Sequence, residues 1–234
     1  MSRAVLTRQP GAGSRVSVPE MRRTALPIAI VAALALLPGA APAQKQPGNL
    51  TLSASAETVK FGRSVTLSGK LTGPKSDGKN VTLREDPFPF DAFDNVATAT
   101  TDANGDFAFT RTPTVNTHYQ ARQGGEESAI ITVSVKPAVS LRVGDRTPAA
   151  GRRVRFAGRV CPEHDGAALE IQRRRAPGQW RTVRRATLAD VPGTACSKYS
   201  RRVRVRRDGA YRAFLAADTD HAAGTSRLRR IDVH

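Results

Sequence analysis

The sequence predicts an all-β protein, two antiparallel β-sandwich domains in tandem after an N-terminal signal peptide. Three observations carry this expectation. Residues 50–234 run in short stretches of alternating apolar and polar side chains, with hardly any 3.6-residue period. Nineteen Gly and fifteen Pro among 234 residues break those stretches, a density of turn formers that suits short strands better than long helices. One pattern of about ninety residues occurs twice, which is domain size and too long for a solenoid repeat.

The chain opens on an address label. Met21-Arg-Arg-Thr is followed by an apolar stretch from Ala25 to Leu37, then by Pro38, Gly39 and the small-residue run Ala40-Ala41-Pro42-Ala43. A basic start, a short apolar run and an A-x-A site make residues 21–43 a secretory signal peptide. The apolar run is shorter than the roughly 18–20 residues needed to cross a bilayer. No Cys follows it, which excludes a lipid anchor of the lipobox kind. Arg22-Arg23 lacks the continuation of a twin-arginine signal. Residues 1–20 resemble none of these regions, which points to Met21 as the start of translation. Residues 44–49 then form a linker. The mature chain is expected to be secreted and extracellular, without a transmembrane segment, its association with the cell wall left open.

The repeat can be followed element by element. Phe61-Gly-Arg-Ser-Val-Thr-Leu-Ser-Gly-Lys-Leu71 parallels Ala150-Gly-Arg-Arg-Val-Arg-Phe-Ala-Gly-Arg-Val160. Asp77-Gly78 leading into Val81-Thr-Leu83 parallels Asp165-Gly166 leading into Leu169-Glu-Ile171. Phe93 falls opposite Trp180, which makes both core candidates. Thr117-His-Tyr-Gln-Ala121 matches Gly209-Ala-Tyr-Arg-Ala213, and the strand from Ser128 matches the strand from Ser226. The units are residues 50–136 and 137–234. Each supplies about seven strands with turn signals every 8–12 residues, the signature of an immunoglobulin-like sandwich.

The pattern G-R-x-V-x-x-x-G-x-V/L, then D-G, then an aromatic before a strand, then G-x-Y-R-A, resembles the tandem Ig-like repeats of secreted bacterial cell-surface proteins. Asp102-Ala-Asn-Gly-Asp-Phe107 is similar to the D-x-x-G-x-F turn of carboxypeptidase-regulatory-like (transthyretin-like) domains. The resemblance covers essentially all of residues 50–234. It implies spacer, adhesion or carbohydrate-associated modules and brings no catalytic residues, because such sandwiches host many activities.

Net charge is +17, and its distribution is uneven. Residues 44–136 hold 10 basic and 10 acidic residues, whereas residues 137–234 hold 22 basic and 9 acidic. Period-2 alternation places Val154, Phe156 and Val160 inward and Arg153, Arg155 and Arg159 outward. It does the same for Val203 and Val205 against Arg202, Arg204 and Arg206. These are strands B and E, neighbours in one sheet of an Ig-like sandwich, so six arginines share a solvent face. Two functions of different class compete. One is a non-catalytic structural or adhesive module whose partner is a surface protein. The other is a binder of anionic polymers through the arginine face: cell-wall polymer, acidic polysaccharide or nucleic acid. The plain alternative is a solvated face in a chain that prefers Arg to Lys. Sequence-specific nucleic-acid recognition is not expected, since the face lacks interleaved aromatics and there is no reading helix.

Cys161 ends strand B and Cys196 precedes strand E, so a disulfide is expected in an exported protein. The same loop pole carries His164, Asp165, Asp218, Asp220 and His221, so Cys161, His164, Cys196 and His221 form an alternative tetrahedral zinc set. Asp102-Ala-Asn-Gly-Asp106 lacks the further ligands of a calcium loop and is expected to be a hairpin turn. Glu85-Asp-Pro-Phe-Pro-Phe-Asp-Ala-Phe-Asp94 gathers carboxylates without an implied cleft, and Phe88 and Phe90 are candidates for an exposed contact patch. No nucleophile-elbow, zincin, P-loop or dinucleotide motif is present, so neither an enzyme nor a cofactor is expected.

Overall fold

The computed structural model describes residues 49–234. The expected signal peptide at 21–43, the start at Met21 and most of the 44–49 linker lie outside the described residues. Among the described residues there is no helix, and none that is long and apolar enough to cross a membrane. The first half contributes β1 (Ser53–Ala54), β2 (Thr58–Lys60), β3 (Val65–Lys70), β4 (Asn80–Pro87), β5 (Asp94–Thr100), β6 (Asp106–Arg111), β7 (Thr117–Gln123), β8 (Glu126–Glu127) and β9 (Ile131–Lys136). The second contributes β10 (Ala138–Val139), β11 (Arg142–Val143), β12 (Arg153–Cys161), β13 (Ala168–Ala176) and β14 (Gln179–Thr187). It continues with β15 (Ala189–Asp190), β16 (Ser197–Arg204), β17 (Gly209–Leu215), β18 (Gly224–Thr225) and β19 (Arg229–Ile231).

Each half builds two sheets over its own core. In the first, the sheet β1-β3-β6 covers the sheet β2-β9-β7-β4-β5, with β8 on β7. Val65, Leu67, Phe107 and Phe109 from one sheet meet Val81, Leu83, Tyr119 and Val133 from the other. In the second, β10-β12-β16-β15, with β11 on β12, covers β14-β13-β17-β18, with β19 on β17. Val154, Phe156, Tyr199 and Val203 there meet Leu169, Ile171, Tyr211 and Ala213. Every pair is antiparallel except β2 with β9. Side chains alternate across each strand because successive Cβ atoms point to opposite faces, and the apolar set lands inside. An all-β pair of antiparallel sandwiches is therefore what the alternation predicts and what forms.

The repeated glycine has a steric reason. Gly69 and Gly158 sit in β3 and β12 where the chain entering each half pairs alongside as an edge strand and turns one carbonyl inward. A Cβ at Gly69 would overlap the Thr51 carbonyl and the Phe107 ring, and one at Gly158 the Ser140 carbonyl and the Tyr199 hydroxyl. Tyr199 donates to that carbonyl at 2.7 Å, and burial pushes its phenol well above the usual range. A second repeated device is a buried serine. Ser128 Oγ accepts the Ala121 N–H and donates to the Ala129 carbonyl, both at 2.9 Å. Ser226 Oγ treats Ala213 and Arg227 the same way, at 2.9 and 3.0 Å.

Phe93 and Trp180 depart from expectation, being half-buried on outer sheet faces rather than in the core. Each lies under a guanidinium: Arg84 is 5.1 Å from the Phe93 centroid and Arg212 is 4.0 Å from the Trp180 centroid. The two arginines occupy exchanged positions in the repeat. Arg84 on β4 donates across to Gln120 on β7 at 3.1 Å. Gln172 on β13 accepts from Arg212 on β17 at 2.8 Å. The aromatic is held by cation–π contact and by the aliphatic stem above it, without entering the core.

Two loops also differ from the sequence expectation. Asp102–Asp106 joins β5 to β6, which lie in different sheets, so it is a corner between sheets and not a hairpin. Asp102 Oδ1 accepts the Asn104 and Asp106 N–H groups at 2.8 and 2.9 Å. Those bonds, from Asp106 first and Asn104 second, hold its carboxyl below the usual range. Phe88 and Phe90 are half-buried, with Phe90 stacked on His118 at 3.9 Å and Phe88 edge-on to Phe90 at 5.6 Å. They form a folded loop cluster, not an exposed patch. Glu85 is committed to a forked pair with Arg111 at 2.8 Å, so the loop carboxylates do not converge.

Two stability outcomes follow from this frame. Gly158→Val should lower urea-unfolding stability by about 1–3 kcal/mol or more, since neither Ser140 nor Tyr199 can move without giving up their hydrogen bond. An unchanged midpoint would show that the paired edge chain is not fixed there. Replacing Cys161 and Cys196 together by Ala should cost about 3–4 kcal/mol, the loop-closure value for their separation of 35 residues. Equal midpoints with and without reductant would contradict it.

Candidate functional site

Strands β12 and β16 pair in one unbroken antiparallel register from Arg153↔Arg204 to Val160↔Ser197. That register brings Arg153 opposite Arg204, Arg155 opposite Arg202 and Arg159 opposite Lys198 on the outer face, with Val154 opposite Val203 on the inner. All six sequence-named arginines are exposed, Arg206 just beyond the end of β16. Among the described residues, none of the six is in an ion pair. Arg155 Nε is steadied by Ser200 Oγ at 2.9 Å, which leaves the rest of the guanidinium free of protein partners.

The face is grooved. Between the arginines the outer positions are small, Ala157 and Ser200, and they floor a trough of about 710 Å³. Arg142, Arg155, Arg159 and Lys198 wall it. Toward the other end of the strands, Arg153, Arg184, Arg202 and Arg204 line a second hollow of about 370 Å³. Arg204 and Arg206 also open onto a third of about 810 Å³, with Arg173, Arg174, Arg175 and Arg207. The positive surface therefore continues from one sheet, round its edge, onto the next. Alternation finds the six arginines of β12 and β16. Lys198 continues the same outward alternation of β16, whereas Arg142, Arg184 and the Arg173–Arg175 run escape it, because they join the face through pairing and sheet edge rather than through one strand's pattern.

The opposite loop pole holds the cysteines and histidines. Cys161 and Cys196 are disulfide-bonded with a Cα separation of 4.4 Å, so the four-ligand Cys2His2 set does not exist, both sulfurs being spent. Buried Ser197 accepts the His164 N–H at 2.8 Å and donates to Asp165. The two imidazoles nevertheless meet, with ring centroids 4.9 Å apart. Both side chains are nearly buried, 6% and 5% exposed. Asp218 and Asp220 close the group: His164 Nε2 is 3.2 Å from Asp218 Oδ2, and His221 Nδ1 is 3.2 Å from Asp220 Oδ1. Burial acts to raise the Asp220 carboxyl, but its bond with Asp218 and the neighbouring His221 outweigh this and hold it below the usual range.

This pole is also the seam between the halves. Only Pro137 separates β9 from β10. Asn116 N–H donates to the Asp220 carbonyl at 2.9 Å, Ala222 N–H to the Val135 carbonyl at 2.8 Å, and His221 Nε2 lies 2.9 Å from the Thr114 carbonyl. The sequence matches no protein-family model and no curated protein, so geometry carries the functional reading.

Like charges placed directly opposite each other on a sheet destabilise it. Arg153→Thr with Arg155→Thr should therefore raise unfolding stability at low salt, while threonine keeps strand propensity. The gain should shrink as the screening length falls from about 30 Å at 0.01 M to about 3 Å at 1 M. A loss of stability at low salt would show that the arginines are held by attractive partners instead.

Proposed function

We propose that the mature chain is an exported, non-catalytic β-sandwich protein that holds anionic polymers along the arginine face of its second half. The first half serves as its support. The observation that carries this is the run of exposed arginines without carboxylate partners, fixed on one face by the β12–β16 register and flanking a trough with a small-residue floor. A face evolved only for solubility gains nothing from opposing arginine to arginine across strands, which costs stability. Polymers with regularly spaced sulfate, phosphate or carboxylate groups gain from it, because each guanidinium engages oxyanions through forked hydrogen bonds and releases counterions. The small floor lets a polymer backbone lie down between the arginines. The aromatics that line these hollows, Tyr199 and Tyr211, are buried and not free to stack a base, so recognition is of charge spacing, not of sequence. The first half, near neutral and joined through one residue and the seam hydrogen bonds, makes a short stiff mount.

Retention of the untagged chain on immobilised heparin across a salt series tests this. Elution is expected well above about 0.15 M salt, with binding that falls steeply as salt rises. Replacing Arg153, Arg155, Arg159, Arg202, Arg204 and Arg206 by Gln should move elution below that point. Elution of the unmodified chain at or below physiological salt would sink the reading, as would unchanged retention of the six-fold variant.

A further inference from the structure

His164 and His221 are buried, yet each has one ring nitrogen without a hydrogen-bond partner: Nε2 of His164 and Nδ1 of His221. The opposite nitrogens decide their chemistry. His164 Nδ1 lies 2.9 Å from the Pro162 carbonyl, and His221 Nε2 lies 2.9 Å from the Thr114 carbonyl. A carbonyl only accepts, so both facing nitrogens carry hydrogen. In the neutral rings this leaves lone pairs at the two unpartnered nitrogens. Those lone pairs face carboxylates: Asp218 Oδ2 at 3.2 Å from His164 Nε2, and Asp220 Oδ1 at 3.2 Å and Asp218 Oδ1 at 3.8 Å from His221 Nδ1. Carboxylates set against the lone pairs of two buried imidazoles repel them, and the arrangement calls for a cation. Protons would serve poorly, because ring hydrogens at these nitrogens do not point along a hydrogen bond to the carboxylates.

A metal ion suits the same donors. Donors around a tetrahedral zinc, at about 2.0–2.2 Å each, lie about 3.3–3.5 Å apart. The His164, Asp218 and His221 donor atoms lie within 4.8 Å of one another, so small side-chain rotations bring them into that frame. A ligating histidine almost always donates its other ring hydrogen to a carbonyl or carboxylate, which is the arrangement both rings already have. Backbone bonds hold the cluster as well: Asp218 Oδ1 accepts the His221 N–H at 2.7 Å, and the disulfide anchors the segment leading to His164. We propose that His164 Nε2, His221 Nδ1 and the Asp218 carboxylate bind a divalent metal of the zinc class, with water as the fourth donor and Asp220 as a neighbouring negative charge. The ion would be structural. It ties the loop after β12 to the loop after β17, and through the Thr114 carbonyl and the Asn116–Asp220 bond it braces the seam to the first half.

Zinc titration of the untagged chain, stripped with chelator under non-reducing conditions, tests the proposal by calorimetry and by the nitrogen chemical shifts of the imidazoles. One zinc per chain is expected at micromolar or lower dissociation constant, with metal-type shifts at Nε2 of His164 and Nδ1 of His221, and a higher melting temperature. His164→Gln and His221→Gln should each weaken binding by about 100-fold or more. Asp218→Asn keeps the Oδ1 acceptor for the His221 N–H, so it preserves the loop while removing the anionic donor. It should weaken zinc binding by at least about 10-fold. Absence of saturable binding up to about 1 mM zinc would overturn the site. So would affinity unaltered in a folded Asp218→Asn variant, or shifts that appear at His118 or His234 instead.

Discussion

The pairing of β12 with β16 is the constraint on which the second half depends. One register sets eight residue pairs, turns Val154, Phe156, Val160 and Val203 into core, and turns Arg153, Arg155, Arg202 and Arg204 into surface. A slip of one residue would bury the arginines and expose the valines, so the core enforces the charge pattern. The disulfide fastens the end of this pair at Cys161, one residue beyond its last register partner, and Cys196, one residue before β16. Beside it, Gly158 lets the entering edge chain turn its Ser140 carbonyl inward against the sheet. The rest of the sandwich closes over what these contacts position.

The two halves use the same scaffold with different surfaces. The buried serines, the glycines Gly69 and Gly158 and the core tyrosines Tyr119 and Tyr211 recur at matching positions. The Arg–Gln pair under which each outer aromatic is held survives with its members exchanged between strands. Such an exchange leaves the hydrogen bond and the cation–π contact intact, which shows that the interaction, rather than either residue, is what the sheet needs. Charge is free to diverge because it sits on outward positions that the core does not constrain. Neutrality in one half and a net of 22 basic against 9 acidic residues in the other are the result.

Much of this was legible in the residues. Alternation through Val154, Phe156 and Val203 and the matched stretches around Gly69 and Gly158 lead directly to antiparallel sandwiches and to the arginine face. The cysteine positions lead to the disulfide. Phe93 and Trp180 read as core because an aromatic is apolar unless a cation lies above it, and Arg84 and Arg212 come from other strands. The Asp102–Asp106 turn reads locally as a hairpin, since a turn motif carries no information about whether the next strand stays in its sheet. The loop pole was half legible: convergence of His164 and His221 follows from topology. The free lone pairs depend on carbonyls at Pro162 and Thr114, which no side-chain pattern reveals.

The second half thus joins a basic face to a pole that meets the first half, and the proposed function rests on the face. The most direct measurement is a titration of the chain with a size-defined heparin oligosaccharide, followed through the arginine side-chain Nε–H resonances. Perturbations are predicted to concentrate on Arg142, Arg155 and Arg159 beside the trough and to extend to Arg202 and Arg204. Perturbations spread evenly over all arginines, or confined to the first half, would contradict the assignment of function to that face.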